Sequence, residues 1–299
     1  MAERGGGHTE AEIASQPDRW RRAAATAADL APVLPRRGER VAVIGCGTSW
    51  FVAQAYAALR ESAGHGETDA FAASEFPDGR RYDRLLALTR SGTTTEVLDA
   101  LARVRGTTPT VAITADAATP VMNAADEIIV LDYADERSVV QTRYATTQLV
   151  LLRAHLGEDV SGVITDAERA AAEPLPAAAV AADQFTFLGR GWTIGLAHEA
   201  ALKMREAAGA WAESYPAMEY RHGPIAIAGP GRVAWMFGEP PEGLADQVAG
   251  AGGTMVTTSL DPLADLVRAQ RLAVEIARAR GDDPDRPRNL TRSVILDVR

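Results

Sequence analysis

The sequence predicts an α/β protein made of two duplicated units, each a parallel sheet flanked by helices. Three observations carry this expectation. Short apolar strand patterns alternate with helical ones along the chain. The string VAVIGCGTSWFVAQAYAALR aligns without a gap with FTFLGRGWTIGLAHEAALKM, placing Gly45 on Gly189 and Gly47 on Gly191. At 299 residues, 46% of them hydrophobic, the chain is long enough for two domains with separate cores.

Taken in order, residues 1–38 read as a polar lead-in and one helix, DRWRRAAATAADLAPVL, stopped by Pro35. Strand VAVIG (41–45) passes through a glycine turn into the helix SWFVAQAYAALRES. Strands follow at 68–73 and 85–89, then a polar turn and a helix from Glu96 to about Arg105. Strands at 110–114 and 127–132 lead to a long helix around 138–156. The Ala/Pro-rich stretch 160–182 reads as helix plus linker, after which the cycle restarts. Strand FTFLG (185–189) leads to helix TIGLAHEAALKMREAAG. Strands near 232–237 and 254–258 and a helix from Pro262 to about Arg280 come next. Runs of Val, Ile and Leu without polar alternation suit strands covered on both faces.

Composition narrows the function. The net charge is −9, with no basic run able to track a phosphate backbone, so nucleic acid is not an expected partner. One cysteine, Cys46, excludes an intramolecular disulfide and a multi-thiolate metal site. Five histidines lack ligand spacing, so no metal is expected. Without a signal-peptide core or a membrane-length apolar run, a soluble cytoplasmic chain is expected. Neither Gly-X-Gly completes a dinucleotide fingerprint, because Trp50 and Ile194 stand where the third glycine belongs.

The loop Arg90-Ser91-Gly92-Thr93-Thr94-Thr95 ends a buried strand at Thr89 and precedes a helix opened by Glu96. Free N–H groups of a helix start, hydroxyl donors and a glycine that allows close backbone approach suit a phosphate dianion. A run of N-caps is the other reading, since Thr-x-x-Glu also matches a capping box. Ser49, after the first glycine turn, can close the cradle from the neighbouring strand.

The helix 193–208 carries Glu199, Lys203 and Glu206 at i, i+4 and i+7, on one face. Lys203 is the only lysine in the chain. A solvated ladder worth a few tenths of a kcal/mol per pair is one reading, and an acid–base stripe is the other. Unlike a guanidinium, an ammonium can lose its proton.

The strings GCGTSWFVAQA, ASEF (73–76), LTRSGTTTEVL, TTQL (146–149), FLGRG, HEAALKMREAAGAWAESYPAMEYRHGPIA and RPRNLTRSV resemble the SIS (sugar isomerase) family. They are nearest in pattern to the isomerase half of glucosamine-6-phosphate synthase, without that enzyme's amide-hydrolysing domain. The resemblance implies two SIS domains of flavodoxin-like three-layer form. Residues 39–160 would be the phosphate-binding domain and 183–299 the domain with acid–base residues and tail. A helical lead-in (1–38) and a linker (161–182) complete the chain. It puts Ser49, Thr89, Ser91 and Thr94 on the family's phosphate positions, with Arg90 in the same loop and Gly47 and Thr48 also against substrate. It puts Glu206 on the carboxylate that moves a proton between C1 and C2, Lys203 and Glu199 on positions that orient hydroxyls, and His222 on the ring-opening histidine. A homodimer follows from it, with His222 serving either its own pocket or the partner subunit's. One departure stands out: Arg292 occupies the place of the family's Schiff-base lysine, so an imine there is not expected. Arg292 would instead clamp a substrate oxygen or anionic end.

These parts suit opening a phosphorylated aminosugar and removing its C2 proton, with no cofactor. Dehydration of N-acetylglucosamine 6-phosphate is the first specific expectation. Isomerisation or deamination of glucosamine 6-phosphate, deglycation of fructosamine 6-phosphates and a non-catalytic sugar-phosphate sensor are the alternatives.

Overall fold

Buried β-branched and leucine-rich runs account for the strands, and in a computed structural model that describes residues 6–296 they form two all-parallel sheets. The first contains β1 (Val41–Gly45), β2 (Thr68–Ala72), β3 (Arg84–Leu88), β4 (Thr110–Thr114) and β5 (Glu127–Val130), in the order β2-β1-β3-β4-β5. The second contains β6 (Gln184–Gly189), β7 (Ala212–Pro216), β8 (Arg232–Met236) and β9 (Thr254–Val256), in the order β7-β6-β8-β9. That order repeats the first four positions of the other sheet. Register agrees too: Val41 pairs with Thr68 and Arg84, and Phe185 pairs with Ala212 and Val233.

Helices link the strands: α1 (Gly7–Ala14), α2 (Gln16–Leu30), α3 (Thr48–Ser62), α4 (Thr95–Val104), α5 (Arg143–His155), α6 (Ser161–Ala172), α7 (Ala177–Val180), α8 (Thr193–Ala208), α9 (Leu244–Gly250) and α10 (Pro262–Arg280). None among the described residues is long and apolar enough to cross a membrane. The described chain divides into two compact units that do not follow chain order. An N-sheet unit takes 18–136, 143–160 and 291–296; a C-sheet unit takes 6–17, 137–142 and 161–290.

In the N-sheet unit, Val41–Ile44 and Leu85–Leu88 have no accessible surface. Phe76, Tyr82, Val97, Leu101 and Val121 pack with Leu85 into one cluster. Trp20 of α2 is buried and donates its indole N–H to Thr146 Oγ1 of α5 at 3.0 Å, giving a buried donor its required partner. In the C-sheet unit, Phe187 stacks with Phe185 and Phe237 and lies 6.2 Å from Trp235. Trp235 donates its indole N–H to Asp265 Oδ2 of α10 at 2.7 Å, and Arg268 pairs with Oδ1 at 2.8 Å.

The expected α/β fold with parallel sheets is the observed one, with three differences of detail. Helix α1 was expected as polar lead-in; it is held by Asp285, which accepts from the His8 and Thr9 amides at 3.0 and 2.7 Å. A carboxylate supplied from the far end of the chain leaves no local signature. Strand β7 ends in Pro216 and has little apolar pattern, which an edge position tolerates. Helix α5 starts at Arg143 rather than about 138, because Ser138 Oγ bonds Val140 O and Glu12 takes the Arg137 and Ser138 amides.

Burial pushes the Asp265 carboxyl up to about 6, against the lowering effect of the Trp235 hydrogen bond and Arg268. The native state therefore keeps this proton where the unfolded chain, near 3.8, has lost it. Stability from the group is present below the unfolded value and is lost as pH rises through about 6. Urea unfolding of wild type and Asp265→Asn should show it. The wild type should lose roughly 1–3 kcal/mol relative to the variant between about pH 4 and 6.5. A constant difference would show that Asp265 stays ionised in the fold.

Candidate functional site

Strand β1 lies between β2 and β3, so chain order reverses there, and the carboxyl ends of β1 and β3 flank a topological switch point. Strand β1 runs through Gly45-Cys46-Gly47 into α3. A Cβ on Gly45 would sit 2.6 Å from the Ser49 carbonyl carbon, and one on Gly189 would sit 2.3 Å from Thr193 O. Both turns bring the first helical turn onto the strand end so closely that no side chain fits. Gly45 and Gly189 thus share a steric cause. Thr48 and Ser49 are buried in the first turn of α3, and Gly47 is exposed. Burial, and then the Glu96 charge, push the Cys46 thiol up to about 11, so it is a protonated, unreactive thiol near neutral pH.

Strand β3 ends at the hydroxyl loop. Thr89 Oγ1 accepts from the Gly92 amide at 3.2 Å, and Ser91 Oγ accepts from the Thr93 amide at 3.3 Å and lies 3.4 Å from Thr94 Oγ1. Thr94 is the N-cap residue of α4, yet its side chain makes no capping bond. The Thr-x-x-Glu of the capping-box reading runs from Thr93 to Glu96, one position ahead of this N-cap, so the box is out of register, and the Thr94 hydroxyl faces Ser91. Gly92 has φ 63°, and a Cβ there would meet Thr119 Oγ1 at 2.1 Å. Both the positive φ and the close approach of Thr119 and Val121 require glycine at this position.

Arg90 corrects another expectation. Its guanidinium is 2% exposed, pairs with buried Glu136 at 3.1 Å and donates to Arg292 O at 3.3 Å. A buried charge has to be paired, and this one is committed to the protein rather than offered to a phosphate. Arg292 differs from expectation in the same way. Its guanidinium bonds Asp135 Oδ1 at 2.5 Å and the Glu136 carbonyl, so it anchors segment 291–296 to the N-sheet unit. Thr95 N donates to Val294 O at 3.3 Å, and Leu296 N donates to Thr95 Oγ1 at 2.9 Å. Asp135, Glu136 and Ser293 were not singled out from the sequence, because their partners lie far away along it.

In the C-sheet unit, α8 presents the lone lysine. Lys203 is 1% exposed, with Nζ 2.5 Å from Glu206 Oε2 and 3.4 Å from Glu199 Oε1. Glu199 is buried as well, whereas the Glu206 side chain keeps 20% of its surface. The solvated-ladder reading of this stripe is thereby overturned. Glu206 opens into a cavity of about 580 Å³, also lined by Arg205, Arg280, Asp283, Arg286 and Arg288. That volume lies within the range usual for small-molecule sites, roughly 300–1,000 Å³. A carboxylate held by an ammonium and open to a cavity can accept and return a proton.

His222 is exposed, beside the turn that follows Arg221, so it is no core histidine. A second histidine, His198 of α8, has Nδ1 2.9 Å from Ser214 Oγ of β7. Burial and then the Arg205 charge hold it below the ordinary histidine range. The sequence signal for it was present in HEAALK, but its serine partner lies on a strand that the pattern did not reveal. Among the described residues there is no cluster of metal-ligating side chains.

Residues 36–156 match the SIS domain family. Glutamine–fructose-6-phosphate aminotransferase (isomerizing) of Gloeobacter violaceus is 31% identical over 87% of this chain and 52% of its own length. The chain thus spans about half the length of such relatives. Among solved structures, a glucosamine-6-phosphate deaminase from Thermotoga maritima superposes with a TM-score of 0.78 at 24% identity, covering 96% of this chain and all of the other. The C-terminal domain of glucosamine-fructose-6-phosphate aminotransferase from Francisella tularensis gives 0.76 at 21%, with the same coverage. At these identities the structural likeness speaks for the fold alone. The family match covers the stretch that holds the five-stranded parallel sheet and the hydroxyl loop, so it is this part of the chain that is similar to SIS domains.

Proposed function

We propose that this chain is a phosphosugar enzyme that opens an aminosugar 6-phosphate and transfers a proton at C2, and that its C-sheet unit is a second SIS domain. The observation that carries the reading is the buried Glu199–Lys203–Glu206 stripe, with only Glu206 open to a cavity. A binding protein has no need of a carboxylate held in this way. The repeated strand order and the matched glycine turns support the duplication.

In this reading the hydroxyls of Ser49, Thr89, Ser91 and Thr94, with the amides at the start of α4, take the phosphate. Such donors suit a dianion without a counter-charge. Glu206 removes the C2 proton of the open-chain sugar, and the Lys203 ammonium holds that carboxylate in place. Glu199 compensates the buried ammonium. His222 handles the ring proton, a task matched to an imidazole near neutral pH; its exposed position suits service in a partner subunit's pocket. Gly47 and Thr48 lie in the first strand-to-helix turn, beside Ser49. Returning the proton to C1 is the isomerase step and leaves an imine at C2; hydrolysis of that imine by water, releasing ammonia and the ketose 6-phosphate, makes a deaminase. The names of the relatives favour these outcomes for glucosamine 6-phosphate over dehydration of N-acetylglucosamine 6-phosphate.

Incubation with glucosamine 6-phosphate or N-acetylglucosamine 6-phosphate in deuterated water, followed by NMR, tests the reading. Wild type should exchange the C2 proton of one of them, and Glu206→Gln should slow exchange by about 10²- to 10⁴-fold while leaving phosphate affinity unchanged. Ser91→Ala should weaken binding of the sugar phosphate roughly ten- to hundredfold. Binding without exchange at C2 by the wild type would leave a sensor instead of an enzyme. The shared-pocket role of His222 has its own check: mixing Glu206→Gln with His222→Ala should restore part of the activity each lacks. No recovery despite proven subunit exchange would place His222 in its own chain's site.

A further inference from the structure

Segment 291–296 makes a contact that anion binding at the hydroxyl loop does not explain. Ser91 Oγ and Thr93 Oγ1 both donate to Ser293 Oγ, at 3.2 and 2.8 Å. An oxygen that accepts from two hydroxyls ahead of a helix start occupies the place of a ligand oxygen. The same segment takes the Thr95 amide through Val294 O and the Thr95 hydroxyl through the Leu296 amide. Donors suited to an anion are thus already engaged by the chain itself.

We propose that Ser293 is an internal ligand of the hydroxyl loop, a plug that an incoming phosphate ester must displace, and that the Arg292–Asp135 pair is the latch holding it. The proposal rests on the reading of this loop as a phosphate site. The latch is built to open. Arg292 and Asp135 each keep 37% of their side-chain surface, and pairs so exposed contribute little in water. The flanking Val294, Ile295 and Leu296 are more than half exposed, so little apolar burial holds the segment down. A phosphate dianion accepts a charge-assisted hydrogen bond from the Ser91 hydroxyl, which is stronger than the neutral bond to Ser293. The anchoring contact also gives Arg292 a task that does not require an imine-forming amine.

Calorimetric titration of wild type, Ser293→Ala and Asp135→Asn with inorganic phosphate and with glucosamine 6-phosphate tests the proposal. Both variants lack part of the plug, so each should bind both ligands roughly two- to tenfold more tightly than wild type. Hydrogen exchange should show the Leu296 amide protected in free wild type, less protected in Asp135→Asn, and less protected in wild type on adding phosphate. Unchanged or weaker binding by Ser293→Ala would overturn the plug, the weaker result showing a lid that completes the site. Absence of binding by all three proteins would instead sink the phosphate reading of the loop, and the plug with it. Leu296 protection that phosphate increases would also overturn the plug.

Discussion

A lysine side chain with almost no contact with water, flanked by two carboxylates, is the constraint on which the polar face of α8 depends. Glu199 and Glu206 approach the buried Lys203 Nζ along one face of α8 and compensate an ammonium there. Removing a partner from such a pair leaves an uncompensated charge, at a cost of about 3–5 kcal/mol. The helix therefore has to present all three side chains in one rotameric arrangement. That requirement holds Glu206 at the wall of the cavity while the other two remain inside.

The hydroxyl loop follows a different logic. Its polar groups are short and neutral, and bond one another and segment 291–296, so their positions come from backbone geometry rather than charge. The charges nearby are used for structure. Arg90 of the loop and Glu136 form a buried pair, and Arg292 of segment 291–296 and Asp135 form a partly exposed one. The buried pair is hard to break and the exposed pair is easy to break.

Much of the fold could be read from the residues because it is local. Apolar runs at 41–45, 85–88, 110–114 and 185–189 become strands, and the glycine turns after β1 and β6 lead directly into helices. The stripe on α8 was legible for the same reason, since helical spacing alone puts positions 199, 203 and 206 together. Strand β7 and helix α1 were not legible. One is an edge strand paired only with β6, and the other is held by Asp285 from the opposite end of the sequence.

By itself, the sequence determined the parallel α/β architecture, the hydroxyl-rich loop and the order of carboxylate, lysine and carboxylate on one helical face. These follow from interactions between residues a few positions apart. Only the tertiary structure decided which polar groups remain available to a ligand. Arg90 and Arg292 look like anion binders in the chain, but Glu136 and Asp135, brought in from other segments, claim their guanidinium groups. Solvent access and charge pairing are properties of the packed molecule, because long-range contacts set them.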